Sequence, residues 1–319
     1  MKKVLIAWGA ALALTVQAGG VFPEKPVNII VPFPAGGSTD TVARTMALSM
    51  GEQLGKPFVV ENRAGATGTI GAGLVKRAPA DGYTLMVASL GPFVITPHLV
   101  KNVPYDAGKD FDYITIPVQA PNVLVAGPAQ KARTVKEVIA TLKAKPGKLS
   151  FASSGNCSSD HLSAELFWQQ TGTEAMHVPY KGGAPAITDL IGGQVDFSFQ
   201  NVNAVLPYLR SGKLHAIAVT GTQRSPVLPD VPTLDESGIK DAEVYSWQGL
   251  AAPKGLPADV KAKLAKAAIA AVNQPDIRQR FVEQGLEIVG NSPEEFTRFQ
   301  AKESERWKQL IQLRKITVE

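Results

Sequence analysis

A single cysteine, Cys157, stands among 319 residues. No internal disulfide can form, and no thiolate cage for a metal can be built. The four histidines, His98, His161, His177 and His215, are scattered. Only His161 and Glu165 share the i, i+4 spacing that suits a metal on one helix face, and the pattern offers no third ligand. Phosphate and nucleophile signatures are missing too: there is no G-x-x-x-x-G-K-[ST], no G-x-G-x-x-G and no G-x-S-x-G. Gly65, Gly68, Gly71 and Gly73 come near a dinucleotide fingerprint but have the wrong spacing; they read as a turn followed by a closely packed helix. After the N-terminus no run reaches the roughly 18 uncharged apolar residues of a membrane helix. Lysines and arginines never form a block of five or six, so the net charge of +5 does not point to nucleic acid. There is no internal repeat and no low-complexity tail. Nothing calls for a cofactor or a metal.

What is present begins with an export signal. Met1-Lys2-Lys3 is a short basic start, Val4 to Val16 is an uncharged apolar run, and Val16-Gln17-Ala18 is a small-residue cleavage site. Residues 1–18 are therefore expected to be a signal peptide, removed so that the mature chain begins near Gly19 as a free periplasmic protein. No cysteine follows the cleavage site to carry a lipid. Removing 18 of 319 residues leaves 301 with a net charge of +3, since Lys2 and Lys3 go with the signal. A chain of that length exceeds what one core usually serves, so two lobes are the default.

Strands and helices alternate along the mature chain. Val27 to Val31, Phe58 to Val60, Tyr83 to Ala88, Tyr113 to Ile116, Val123 to Ala126, Leu149 to Ala152, Ala175 to Val178, Val195 to Phe199 and Ala216 to Thr220 read as strands. Thr67 to Arg77, Val135 to Lys145, His161 to Thr171 and Ala184 to Gly192 read as helices, and Val260 to Asn273, Asp276 to Gln284 and Pro293 to Leu313 make a helical C-terminal third. Alternation of this kind predicts an α/β protein with a parallel, helix-flanked sheet.

Two loops stand out. Asn28 to Arg44 reads as a buried strand, the turn Pro32-Phe33-Pro34-Ala35-Gly36-Gly37, and a helix capped by Ser38 or Thr39 and beginning near Asp40. Gly36 and Gly37 allow positive φ and leave room for a ligand. The free N–H groups of such a helix start form an anion site; an ordinary strand-to-helix connection also favours Gly and Ser. Phe151 to His161 repeats the pattern with Ser153, Ser154, Gly155, Asn156, Cys157 and Ser158. Ligands of open α/β sheets sit beyond the carboxyl ends of strands, so the two loops can face each other across a cleft, or they are two unrelated helix caps. Cys157 beside His161 is either a nucleophile pair or, as a lone cysteine more often is, a small buried residue.

The chain resembles the periplasmic solute-binding proteins of the tripartite tricarboxylate transporter family, also called the Bug or TctC family. The likeness is carried by Phe22-Pro-Glu-Lys-Pro-Val-Asn-Ile-Ile-Val-Pro-Phe-Pro-Ala-Gly-Gly-Ser-Thr-Asp40, Val60-Glu-Asn-Arg-Ala-Gly-Ala66, Ala80-Asp-Gly-Tyr-Thr-Leu85, His177-Val-Pro-Tyr-Lys-Gly-Gly-Ala-Pro-Ala186, Gly193-Gln-Val-Asp196 and Leu228-Pro-Asp-Val-Pro-Thr233. The matches follow the family's order over nearly the whole mature chain.

The resemblance implies a type II, Venus-flytrap periplasmic binding fold: two α/β lobes joined by crossover strands near Val118 to Val123 and Tyr245 to Ala251. Lobe one would comprise residues 19–120 and 248–319, lobe two residues 121–247. It implies capture of a small carboxylate (a dicarboxylate, acidic amino acid or aromatic acid) and delivery to the membrane components of a tripartite transporter, by a monomer that is not an enzyme and does not insert in the membrane. Presentation of the ligand to a sensor protein is the alternative, and a periplasmic hydrolase the third reading. By position, the implied ligand-binding residues are Ala35, Gly36, Gly37 and Ser89 in lobe one, and Ser153, Ser154, Asn156, Ser158, Asp196 and Asn201 in lobe two. Backbone N–H groups and hydroxyls would stabilise the anion without a formal counter-charge. Tyr180 to Gly183 either touch the ligand or order the neighbouring loop. Cys157 departs from the family's glycine and either narrows the pocket or turns away from it.

Overall fold

The computed structural model describes residues 22–317; the expected signal segment and its cleavage site lie outside this range. The strands are β1 (Val27–Val31), β2 (Phe58–Asn62), β3 (Thr84–Ser89), β4 (Phe111–Ala126), β5 (Ser150–Ser153), β6 (Met176–Pro179), β7 (Phe197–Asn201), β8 (His215–Val219), β9 (Tyr245–Pro253) and β10 (Glu287–Ile288). The helices are α1 (Ser38–Leu54), α2 (Thr69–Lys76), α3 (Thr96–Leu99), α4 (Val135–Ala144), α5 (Ser159–Thr171), α6 (Gly183–Ile191), α7 (Val202–Arg210), α8 (Ala258–Asn273), α9 (Pro275–Glu283) and α10 (Pro293–Arg314).

β4 joins the two lobes. From Phe111 to Pro121 it pairs antiparallel with β9, and from Asn122 to Ala126 with β7 on one side and β8 on the other. Sequence alone breaks it in two, because Pro117 and Pro121 cannot donate to a ladder. Register shifts between Tyr113 and Val118 absorb the first proline, and the second sits where the partners change. The chain returns between Val244, whose N–H still bonds to Thr220 O, and Tyr245, which already pairs with Pro121. Each lobe has a parallel core, β2-β1-β3 in lobe one and β7-β5-β6 in lobe two. The expected all-parallel sheet is therefore mixed, because the crossing strands run antiparallel between the two parallel sets.

In lobe one, Val27, Ile29 and Val31 of β1 share a buried cluster with Val42, Met46 and Met50 of α1 and with Leu264 and Ala268 of α8. Positions 42, 46 and 50 fall on one face of α1 at i, i+4 spacing, and the helix stops at Gly55 in the left-handed conformation. In lobe two, Val123, Val125 and Ala152 pack with Ile187 and Leu190 of α6 and Val202 and Val205 of α7. α7 has no counterpart in the sequence reading. Pro207 looks like a breaker, yet it sits inside the helix. Phe93, stacked on Trp247 with ring centroids 5.8 Å apart and edge-on to Phe296, fixes the segment after β3 to β9 and α10.

Candidate functional site

Both loops leave the carboxyl ends of parallel strands, β1 and β5, and run into α1 and α5. In the first, Gly36 takes φ +83°, a backbone conformation that a side chain would strain. Gly37 does not: it is the N-cap of α1 at φ −77°, with no side-chain cap, and the helix starts at Ser38 rather than near Asp40. The first-turn N–H groups therefore have no capping oxygen and sit beside exposed Ala35, Gly36 and Gly37. Asp40 holds the turn from behind. Its carboxylate accepts from Gly36 N at 2.9 Å, Asn62 Nδ2 at 2.9 Å and Arg44 Nε at 3.0 Å. Burial pushes this carboxyl up, but the bonds from Arg44, Gly36 and Asn62 outweigh it and hold it below the usual range.

The second loop is built alike. Asp160, in the first turn of α5, accepts from Ser154 N at 3.0 Å and from the Ser154 hydroxyl. Asn201 at the end of β7 reaches its other oxygen at 3.4 Å. Each loop is thus tied to an aspartate on the helix that follows and an asparagine at the end of a neighbouring strand: Asp40 with Asn62, Asp160 with Asn201. The charges differ. Arg44 neutralises Asp40, whereas Asp160 has only neutral donors among the described residues, and burial pushes its carboxyl up to about 6. Tyr180 N and Gly182 N bond to Ser153 O and Ser154 O, so the segment after β6 braces this loop.

The proposed ligand residues separate in this frame. Ser153 is buried, its hydroxyl spent on His177 Nε2 at 2.7 Å and on Gly155. Ser154 gives its proton to Asp160, so its hydroxyl can accept but not donate to an anion. Asn156 is half-buried at the loop tip, with no hydrogen bond to the described residues. Ser158 caps α5 by accepting from His161 N and keeps its own proton. Ser89 ends β3 opposite Gln248 of β9. The Asn201 amide donates to Asn122, Ser159 and Asp160, which makes it a support of the loop.

Asp196 lies apart from this group. It precedes β7, at the opposite end of that strand from Asn201, and accepts from Ser150 N at 2.8 Å and Ser150 Oγ at 2.9 Å and from Gln130. It ties the starts of β5 and β7 together, away from the carboxyl end of β5 where the second loop begins. The motif around it marked an important position but not which end of the strand it serves.

Contacts between the lobes close over the loops. Asn203 Nδ2, in the first turn of α7, donates to Ser38 Oγ in the first turn of α1 at 3.1 Å. Cys157 adopts φ +64° and is buried; burial pushes its thiol up to about 11, and Thr96 and Thr67 of lobe one, lying close by, pull it the other way. A Cβ built on Gly91 would stand 3.2 Å from Cys157 O, so lobe one approaches this loop closely. Cys157 and His161 form no nucleophile pair. His161 stacks on His177 with ring centroids 4.0 Å apart, its Nδ1 has no partner, and Glu165 stands 3.9 Å from its Nε2. Burial pushes the two imidazoles down, to about 3 for His161 and about 4 for His177. No cluster of three or more His, Cys, Asp or Glu suited to a metal occurs among the described residues. Two surface cavities lie elsewhere: one of about 690 Å³ lined by Trp168, Thr173 and Leu313, one of about 360 Å³ lined by Tyr245, Trp247 and Arg306. Neither touches the loops.

Residues 42–316 match the family model described as the tripartite tricarboxylate transporter family receptor. The chain belongs to this family. It is 37% identical over 303 residues to Protein BugT of Bordetella pertussis, a match that covers 95% of this chain and 93% of that protein. Among solved structures, it is similar to R. palustris Rpa4515 with adipate, with a TM-score of 0.87 and 34% identity over 93% of this chain and 99% of that one. It is also similar to MatC from Rhodopseudomonas palustris with bound malate, with a TM-score of 0.84 and 33% identity over 91% of this chain and all of that one. These relatives share the two-lobed fold. The family is one of transporter receptors, solute-binding proteins and not enzymes, and its solved structures include the periplasmic binding protein BugD.

The residues that sequence reasoning missed are Asp160, Asn203, Thr67 and Thr96. The spacing Ser38-Thr39-Asp40 against Ser158-Ser159-Asp160 carried a signal for the first of them. The other three become visible only when the lobes are placed against each other.

Proposed function

We propose that the protein is a monomeric periplasmic receptor that holds a small carboxylate between the β1–α1 and β5–α5 loops and delivers it to the membrane components of a tripartite tricarboxylate transporter. The observation that carries this reading is the matched pair of strand–loop–helix starts at the carboxyl ends of β1 and β5, with Asn203 of α7 bonded to Ser38 of α1 from one lobe to the other. Ala35, Gly36, Gly37 and Ser89 serve from lobe one. Asn156 and Ser158 serve from lobe two, with Ser153, Ser154 and Asn201 holding the loop in shape, while Asp196 is a structural tie. Dicarboxylates come first among the ligand classes in this reading, which the adipate and malate of the two R. palustris relatives support. Lobe one takes in residues 19–120 and 248–319 and lobe two residues 121–247, a division that the change of ladder partners near 121 and 245 supports. Export is by the N-terminal signal, cut after Ala18.

Titration calorimetry with adipate, malate, acidic amino acids and aromatic acids tests the reading. At least one should bind with Kd below about 10 µM, on the order of −7 kcal/mol. Binding of sugars or cations alone would overturn it.

A further inference from the structure

Asp160 is only 2% exposed, and no cation lies against it among the described residues. Its Oδ2 is well supplied, by the N–H and the hydroxyl of Ser154. Oδ1 is not: its contacts are Ser159 Oγ at 3.3 Å and Asn201 Nδ2 at 3.4 Å, both at the long end of hydrogen bonding. A proton on Oδ1 has an acceptor ready in Ser159 Oγ, which in turn lies 3.4 Å from Asn122 Oδ1. Among the described residues no charged group acts on this carboxyl, whose contacts are Ser154, Ser159 and Asn201; the ionisable residues of its loop and helix are Cys157, His161 and Glu165, with His177 of β6 stacked on His161. Both imidazoles are neutral at pH 7, the thiol holds its proton, and Glu165 is paired with Arg314. Nothing here supplies a positive charge. The twin residue in lobe one, Asp40, differs in this respect because Arg44 neutralises it.

A carboxylate held by Asn156, Ser158 and the α5 helix start would share the loop and first helical turn to which Asp160 is bonded. Two like charges sharing a dry site disfavour each other, and the pair keeps one proton. We infer that Asp160 takes up one proton from solvent when a carboxylate binds at the β5–α5 loop and gives it back on release, so that the receptor holds its ligand more tightly as the surroundings acidify. The inference rests on the carboxylate reading above. Binding and protonation are reciprocal: whatever factor the ligand applies to the proton, the proton applies to the ligand. The free carboxyl, already pushed up to about 6 by burial, lies close enough to neutrality for a bound anion to carry it across.

Calorimetry of adipate and malate with the whole mature protein tests this, in phosphate and in Tris at pH 7 and pH 8, above the range where free carboxylic acids titrate (about 4). The apparent enthalpy should depend on the buffer and give close to one proton taken up per ligand, roughly 0.9 at pH 7 for a free carboxyl near 6. Affinity should fall severalfold, and at most about tenfold, from pH 7 to pH 8. In Asp160→Asn, which keeps an acceptor for Ser154 N–H, the buffer dependence and the loss at pH 8 should both vanish. Wild-type binding with a buffer-independent enthalpy and equal affinity at the two pH values overturns the inference while leaving the carboxylate reading intact, and it needs no variant. Proton uptake that persists in Asp160→Asn overturns it as well. If neither adipate nor malate nor any other carboxylate binds, both readings fall together.

Discussion

Asn203 Nδ2 lies 3.1 Å from Ser38 Oγ and joins the first turns of two helices that belong to different lobes. It is a direct side-chain bond from one lobe to the other, at the end of the β1–α1 loop, and the other amide atom, Asn203 Oδ1, is buried without a partner. Removing it should loosen the closed arrangement without touching either core. Asn203→Ala is expected to weaken carboxylate binding by about 1 kcal/mol, roughly fivefold, and to raise the ligand-free radius of gyration in small-angle scattering. An unchanged affinity and radius would show that the bridge contributes nothing to closure.

Gly37 offers a cleaner probe of backbone approach than its neighbour. Its φ of −77° suits any residue, and a Cβ there meets nothing nearer than Pro34 O at 3.8 Å. Gly37→Val should therefore fold with a normal melting temperature and lose detectable adipate binding, because the side chain would stand where the ligand meets the helix start. The corresponding change at Gly36, at φ +83°, would confound binding with strain. Ser154→Ala should act on the loop rather than the ligand, since that hydroxyl is given to Asp160.

Asp196 should separate stability from affinity. Its bonds to Ser150 and Gln130 tie two strand starts. Asp196→Ala is expected to cost about 2 kcal/mol of unfolding free energy, read from a denaturant titration, with carboxylate affinity unaltered. A large loss of affinity in a stable variant would return Asp196 to the ligand set.

Acid stability follows from the stacked imidazoles. His161 and His177 are pushed down to about 3 and about 4, against about 6.5 in an unfolded chain. The unfolded state binds more protons across this interval, so their contribution is full above about pH 6.5 and drains away as pH falls. Asp160, pushed up to about 6, works the other way: its share is full below about 4 and lost as pH rises through 6. Two imidazoles outweigh one carboxyl. From pH 6.5 to pH 5 the protein should lose roughly 2 kcal/mol, seen as a falling melting temperature. The drop should be shallower in His161→Gln and steeper in Asp160→Asn.

Local patterning made much of the fold legible. β1 carries its apolar β-branched run and α4 its 135, 138, 139, 142 face. The reading missed where proline misled it, at Pro207 inside α7 and at Pro117 and Pro121 inside β4, since tertiary pairing compensates a missing N–H that local rules count as a stop. For the site, the two glycine- and serine-rich loops were visible as sequence because helix starts have a composition. The roles within them were not. Whether Ser154 faces a ligand or Asp160, and which end of β7 Asp196 serves, depends on neighbours 6 and 46 residues away.

The position of β9 has a consequence for a chain that emerges from its N-terminus. β9 lies between β3 and β4, so the set of β2, β1 and β3 has nothing to join it to β4 until residues 245–253 arrive. The set formed by the end of β4 with β5, β6, β7 and β8 needs nothing beyond residue 219 for its ladders. The order of assembly thus inverts the order of synthesis: the middle of the polypeptide can settle while its beginning waits, with the β3 edge unpaired and open to mispairing. Long-range closure of this kind slows folding. A nascent molecule stalled before residue 245 would be an aggregation hazard carrying a finished second lobe.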